Sequence, residues 1–265
     1  MGNHIEIQKR LRLKLLELYY RVNAGHIGSS LSCIDILISI FFFQKKEKDT
    51  FILSKGHAAF ALYCCLNETG KISDDLMKTL YANDTILPAH PAPNQIKEIP
   101  FATGSLGHGF PIAAGIAKAN KFNNDHSFVY VLLSDGDTNE GTAWETAHFA
   151  TKHNLNNLIV IIDKNKVQGF DKTCDVLGDT ANYEKWLCLG FEVLEIEDGH
   201  NIPELNKSIE LLQRSKSTKP KLLIANTIKG KGVSYMENTV DWHYWPMSEE
   251  QYKQAVQEIY KKYNA

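Results

Sequence analysis

Two apolar runs end in polar residues whose chemistry is legible at once. Val131-Leu132-Leu133 stops at Ser134-Asp135-Gly136-Asp137, and Ile161-Ile162 stops at Asp163-Lys164-Asn165. A carboxylate oxygen from Asp135 and an amide oxygen from Asn165 are hard donors suited to Mg2+ or Ca2+. Mg2+ keeps positions for water or phosphate oxygens, so two protein side chains leave room for a diphosphate. Gly136 lets the chain turn tightly against such a group. Taken singly, Asp135 reads equally well as a helix cap and Asn165 as a turn residue. The stretch between them makes the pair more specific. It holds one helical pattern between two strands, a β-α-β unit whose right-handed crossover sets both strand ends on one sheet edge, where open α/β sheets bind ligands.

The elements that must position this pair alternate along the chain. Residues 5–23 place Ile7, Leu11, Leu15, Leu18 and Val22 at helical spacing. A Gly/Ser turn at 24–32 leads into an apolar helix from about Ile34, and 51–53 is a short strand. Lys55-Gly56-His57 opens another apolar helix. Residues 83–103 hold four prolines and read as an irregular surface loop of the kind that is often functional. Helices follow at about 109–119, 140–153, 180–188 and 202–213, alternating with strands at 128–133, 158–162, 191–196 and 222–225. A short helix at 248–260 ends the chain. This alternation predicts an α/β fold, a three-layer αβα arrangement with a mainly parallel sheet and helices on both faces. No linker divides the chain, so residues 1–265 read as a single domain.

Composition narrows the function classes. The 265 residues are 43% hydrophobic and 23% charged, with Lys+Arg 29 against Asp+Glu 31 and a net charge of −2. That balance argues against nucleic acid or an anionic membrane as a whole-molecule partner. Five cysteines, none in a C-x-x-C, argue against a disulfide scaffold or zinc ribbon and for a cytoplasmic setting. Met1 to Arg12 is polar, without an apolar signal core. The run from Ile34 to Phe43 is about half a bilayer span and fits a buried helix better.

In sequence the chain resembles the N-terminal section of transketolase. The thiamine-diphosphate signature of that family, GDG followed about thirty residues later by Asn, corresponds to SDGDTNEG and DKNKVQG here. AGHIGSS, FILSKGHAAFALY, ATGSLGHG and TIKGKGVSYMEN, with Trp242-His243 after it, match further family blocks in family order. The resemblance implies thiamine diphosphate and Mg2+ (or Ca2+ or Mn2+) as cofactors. It implies that Asp135 and Asn165 hold the metal through side chains and Val167 through its carbonyl. His57, Lys229 and His243 would contact or neutralise the diphosphate, with Gly136 close to it. Gly104 and Leu106 would line the cofactor rings. His26, His90 and His243 would reach substrate, and Glu140 would sit at the subunit contact near the proton-relay carboxylates. Glu145 reads as a helix-surface charge, Cys64-Cys65 as packing, and His4, His126, His148, His153 and His200 as surface residues. His108 is intermediate, standing in the cofactor loop where the family usually has Gln.

Two departures bear on function. Ser134 replaces the first Gly of the signature, and Tyr244-Trp245-Pro246 follows His243 where the family has Gly and a small or basic residue. The resemblance covers only the family's N-terminal section, so the family's second, pyrimidine-binding domain is expected on another chain. The resemblance therefore implies the diphosphate-binding subunit of a split transketolase. Its partner would be a separate C-terminal transketolase subunit, in an α2β2 heterotetramer acting on ketose and aldose sugars or their phosphates. Alternatives are a related enzyme for a deoxy, branched or sulfo-sugar, and a non-catalytic paralogue that regulates a partner. A nicotinamide dehydrogenase is set aside because no G-x-G-x-x-G follows an early strand.

Overall fold

The computed structural model describes residues 4–93 and 96–263. Chain order gives helices α1 (His4–Val22) and α2 (Ile27–Ile38), strand β1 (Thr50–Leu53), and helices α3 (Ala59–Glu68), α4 (Asp74–Lys78) and α5 (Gly109–Phe122). Then come β2 (Val129–Ser134), α6 (Gly141–Lys152), β3 (Leu158–Lys164), α7 (Thr173–Leu177), α8 (Tyr183–Cys188), β4 (Glu192–Ile196), α9 (Ile202–Arg214), β5 (Lys221–Asn226) and α10 (Glu249–Tyr263). The strands form one parallel sheet in the order β1-β2-β3-β5-β4.

Side-chain alternation in the strands builds the three layers. Tyr130 and Leu132 of β2, with Ile159 and Ile161 of β3, join a core made with α1, α2, α3, α9 and α10. Val129, Val131 and Leu133, with Val160 and Ile162, face the opposite core under α5, α6 and α8. Both faces of β2 and β3 are therefore dry, which is why these strands read as continuous apolar runs. Ser134 pairs with Asp163 in the β2–β3 register, so the residues just beyond each strand emerge side by side.

The segment expected to be a Gly/Ser turn is instead the first half of α2, and every residue from Ile27 to Ile38 is buried. The serines enter the helix because tertiary partners satisfy them. Ser30 Oγ bonds the Tyr19 hydroxyl at 2.7 Å, and Ser32 Oγ donates to Asp163 at 2.8 Å. The apolar helix continues through a π-helical turn to Gln44. At 18 residues and mean hydropathy 1.7 it is long and apolar enough to cross a membrane, but 83% of it is buried inside the protein.

His200 also departs from the surface assignment. It is buried, accepts the Ile228 N–H on Nε2 at 2.9 Å and donates from Nδ1 to Asp35 at 2.7 Å. Asp35 additionally receives Arg12 in a two-point ion pair and the Gln8 amide at 2.8 Å. Burial opposes ionisation of Asp35, but the Arg12 guanidinium outweighs it and holds the carboxyl well below its usual range. The signal missed in the sequence is Asp35 itself, an acid inside an apolar helix that needs partners. Replacing Asp35 with Ala should strand the buried Arg12 charge and cost about 3–5 kcal/mol of stability, measured by urea unfolding.

Candidate active site

A cleft of about 240 Å³ opens at the carboxyl ends of β2 and β3. Its wall takes Ser134, Asp135 and Gly136 from the end of β2 and Asn165 through Phe170, apart from Lys166, from beyond β3. His26 and Ser29 come from the start of α2, His57 from the turn before α3, and His90, Gly104 and Leu106 from the proline-rich stretch and the loop after it. His243 and Tyr244 complete the lining. Residues spread over more than 200 positions of sequence thus meet at the edge where the β-α-β crossover brings the two strand ends together.

At the floor, Asp135 Oδ2 accepts the Lys166 N–H at 2.6 Å and the Thr173 hydroxyl at 3.0 Å. Burial, then the neighbouring Asp163 carboxylate, pushes the Asp135 carboxyl up to about 6. A buried acid beside a second acid is poised for a cation. Asn165 donates Nδ2 to Ser32 Oγ at 3.1 Å, while its Oδ1 accepts the Val167 N–H at 3.0 Å. Among the described residues no group of three or more His, Cys, Asp or Glu is arranged to hold a metal ion by itself. An ion held by Asp135, Asn165 and the Val167 carbonyl would therefore have three oxygen donors and need the rest from a ligand or water. This all-oxygen set fits Mg2+. A Cβ on Gly136 would meet Ser134 Oγ at 3.5 Å and the Gln168 and Leu106 side chains at 3.7 Å, ordinary van der Waals contacts, so the protein's own packing does not demand glycine at this point of the cleft.

Ser134 does not obstruct this floor. Its hydroxyl donates to Asp137 Oδ2 at 2.7 Å and accepts the Asp137 N–H at 3.0 Å, so it is spent on the turn. Asp137 also receives Ser54 Oγ at 2.7 Å and the Gly107 N–H at 2.8 Å, tying the end of β1 and the 104–107 loop to β2.

Four imidazoles form the wall. The His26 ring centroid lies 5.7 Å from those of His57 and His90 and 4.9 Å from that of His243, and His57 is 5.3 Å from His243. His26 sits in the left-handed region at φ 75°, a conformation that costs a non-glycine residue on the order of 1 kcal/mol. It is held there by its N–H on the His243 carbonyl at 3.1 Å. Gly25 makes this corner possible, since a Cβ there would lie 2.4 Å from the Tyr244 carbonyl oxygen. Burial, then His90 and Lys229, lowers His26 to about 4. Burial, then Lys229, lowers His243 to about 3. Burial, then Lys55, holds His57 well below its ordinary value, and burial alone lowers His90. The four rings are therefore neutral near pH 7, able to accept or donate hydrogen bonds without carrying charge. Lys229, buried behind them, donates to His243 Nδ1 at 3.2 Å. Burial, then Lys55, lowers it to about 8.

Of the site residues singled out in the sequence, Lys229 lies behind the cleft lining rather than in it, and Glu140 stands apart. It is exposed and lies outside the cleft lining, packed against Gly107. His108 is exposed too, its ring on the Leu106 carbonyl at 3.0 Å. Glu145, His126 and His148 are exposed, and Cys64 and Cys65 are fully buried. Sequence reasoning passed over Asp163, Lys55, Asp137, Ser29 and the Gln168–Phe170 wall. Asp163 carried a usable signal, an acid at the end of the run LIVII, where both faces must be dry.

A three-layer α/β domain with a polar cleft at the carboxyl ends of its parallel strands belongs to the class of open-sheet folds that bind ligands at that edge. The family model described as "Transketolase, thiamine diphosphate binding domain" matches residues 4–263, and the chain belongs to that family. It is 36% identical to an apulose-4-phosphate transketolase subunit of Phocaeicola vulgatus, across 96% of this chain and 93% of that one. It is 35% identical to a 6-deoxy-6-sulfo-D-fructose transketolase subunit from a Clostridium species, across 95% and 94%. The solved transketolase of Campylobacter jejuni superposes with a TM-score of 0.84 at 30% identity, covering 98% of this chain and 43% of that one. The chain thus spans about two-fifths of that transketolase and nearly the whole of each of the two separate subunits.

The lowered His26 value has a direct consequence. The unfolded chain takes up a proton here near 6.5 and the folded chain only near 4. Stability therefore falls as pH drops across that window. In proton NMR the His26 imidazole resonance should stay flat from pH 8 to 5.5; a titration centred near 6.5 would contradict the geometry.

Proposed function

We propose that this chain, a single domain over residues 1–265, is the cofactor-binding subunit of a split transketolase. It would transfer a two-carbon ketol unit from a ketose to an aldose, either of which carries a phosphate in the ordinary reaction. The observation that supports this most is the meeting, in one cleft, of the Asp135–Asn165 oxygen pair and four neutral imidazoles, one of them bonded from behind by the buried Lys229.

Asp135, Asn165 and the Val167 carbonyl would hold Mg2+, with Ca2+ or Mn2+ as substitutes. His57, Lys229 and His243 would face the diphosphate, with Gly136 close to it. Gly104 and Leu106 would flank the rings. Thiamine diphosphate, when bound, supplies a nucleophilic carbon and an electron sink. The chain's own residues then orient substrate and move protons. Neutral His26, His90 and His243 suit hydroxyl and carbonyl contacts because each ring offers one donor and one acceptor. Burial keeps them from charging beside Lys229.

The relatives are named as subunits, which supports a partner chain. We place a C-terminal, pyrimidine-binding subunit over the cleft mouth in an α2β2 assembly in the cytoplasm, with Glu140, exposed on this chain, at the contact. An unusual sugar donor is favoured by Tyr244 and Phe170. Both line the cleft, and Phe170 is 84% exposed at its rim. The two relatives are named for apulose-4-phosphate and a sulfo-sugar.

Calorimetry on the complex should show Mg2+-dependent binding of thiamine diphosphate that falls at least a hundredfold in Asp135→Ala. Equal affinity in both proteins would sink the assignment. Mixing with the partner should be required for ketol transfer, and full activity of this chain alone would refute the split.

A further inference from the structure

Lys229 makes contacts that its expected role at a diphosphate does not require. Its ammonium donates to the Val167 carbonyl at 3.2 Å, the Gln168 carbonyl at 3.2 Å and His243 Nδ1 at 3.2 Å. An ammonium has three protons, so all three are committed. The side chain is 1% exposed, so no water replaces these partners. One of them, the Val167 carbonyl, is the third oxygen of the cation site in the proposed function. Beside it the Gln168 Nε2 is buried without any hydrogen-bond partner, a donor held unused in the wall of the same cleft.

We propose that Lys229 is a built-in counter-cation for the 165–169 loop, holding the Val167 carbonyl until a metal ion displaces it; the carbonyl has a second lone pair, so lysine and metal compete there as two mutually repelling cations at one oxygen. This rests on the proposed function, since it takes the metal to bind at Asp135 and Asn165. The physical reason is the cost of leaving either group alone. A buried carbonyl without a donor and a buried ammonium without acceptors are both unfavourable, and here each satisfies the other. The loop is thereby held in a near-binding shape before any ligand arrives, with the Val167 N–H on Asn165 Oδ1 at 3.0 Å and the Gln168 N–H on the Asp171 carbonyl at 2.8 Å. Once displaced, the ammonium must find new acceptors, and phosphate oxygens in the cleft would provide them. Lys229 is thus a positioning residue that weakens metal binding on its own and strengthens diphosphate binding, a pair of opposite effects that a merely structural lysine would not produce.

The test measures two affinities on the full chain, for Mn2+ alone, from the electron paramagnetic resonance signal of the free ion, and for inorganic pyrophosphate in the presence of Mg2+. Lys229→Met should bind Mn2+ at least fivefold more tightly and pyrophosphate at least tenfold more weakly than the natural chain. Lys229→Gln carries the same expectation and serves if the Met variant does not fold. Lys231→Met removes the positive charge two positions along the chain, one that makes no bond to the loop carbonyls, and should shift Mn2+ affinity less than twofold. Unchanged or weaker Mn2+ binding in a folded Lys229 variant overturns the competition. So does an equal gain in Lys231→Met, which would mean a general field effect. Mn2+ affinity unaffected by Asp135→Ala would instead remove the metal site itself, and the competition with it.

Discussion

The site depends on one buried carboxylate. Asp163, next to last in β3, has no exposure to solvent, and a charge there is tolerable only if its oxygens are saturated. Saturation comes from four places in the chain. The single Ser32 hydroxyl of α2 is shared between both oxygens at 2.8 Å, Lys55 beyond β1 and Thr227 beyond β5 donate as well, and Asn165 adds a longer bond at 3.4 Å. Because these partners belong to α2 and to the ends of three strands, satisfying one carboxylate gathers the elements around the cleft. It also orients Asn165, whose amide nitrogen points into the knot while its oxygen is left to the 165–169 loop. Asp137 repeats the device on the far side, joining the end of β1, the 104–107 loop and the end of β2.

The same knot sets the electrostatics. Burial opposes the charge on Lys55, yet the Asp163 carboxylate outweighs that and raises it above the ordinary lysine value. A permanent cation behind the wall then adds to burial in keeping His57 and His243 neutral and in lowering Lys229. On the other side Asp163 pushes Asp135 up. The cleft thus meets a ligand with neutral imidazoles along the wall, the Lys229 ammonium buried behind them and the Asp135 carboxyl at the floor. A diphosphate with its metal ion is complementary to the ammonium and the carboxyl at once.

Much of this was legible in the sequence because it depends on short-range pattern. The dry strands β2 and β3, the polar breaks after them and the helix between were enough to bring Asp135 and Asn165 to one edge. The four cleft histidines were found by their family blocks. What escaped depends on long-range satisfaction of polar groups. Gly28, Ser29, Ser30 and Ser32 read as a turn, since local chemistry favours one, but contacts with Tyr19 and Asp163 draw them into a helix. His200 read as a surface residue because nothing near it in sequence reveals Asp35, 165 positions away. Lys55 and Asp163, 108 positions apart, were hidden for the same reason. The short helices α4 and α7 are single turns too brief to show a period.

In the proposed site Asp135, Asn165 and the Val167 carbonyl would together hold the ion that anchors a diphosphate. Crystals of this chain with its partner subunit, grown with thiamine diphosphate and Mn2+ in place of Mg2+, would test it directly through the anomalous signal of manganese. The expected result is a single strong peak at coordination distance from all three oxygens, with the diphosphate completing the shell and Lys229 withdrawn from Val167. A peak elsewhere, with the cofactor bound away from these residues, would contradict it.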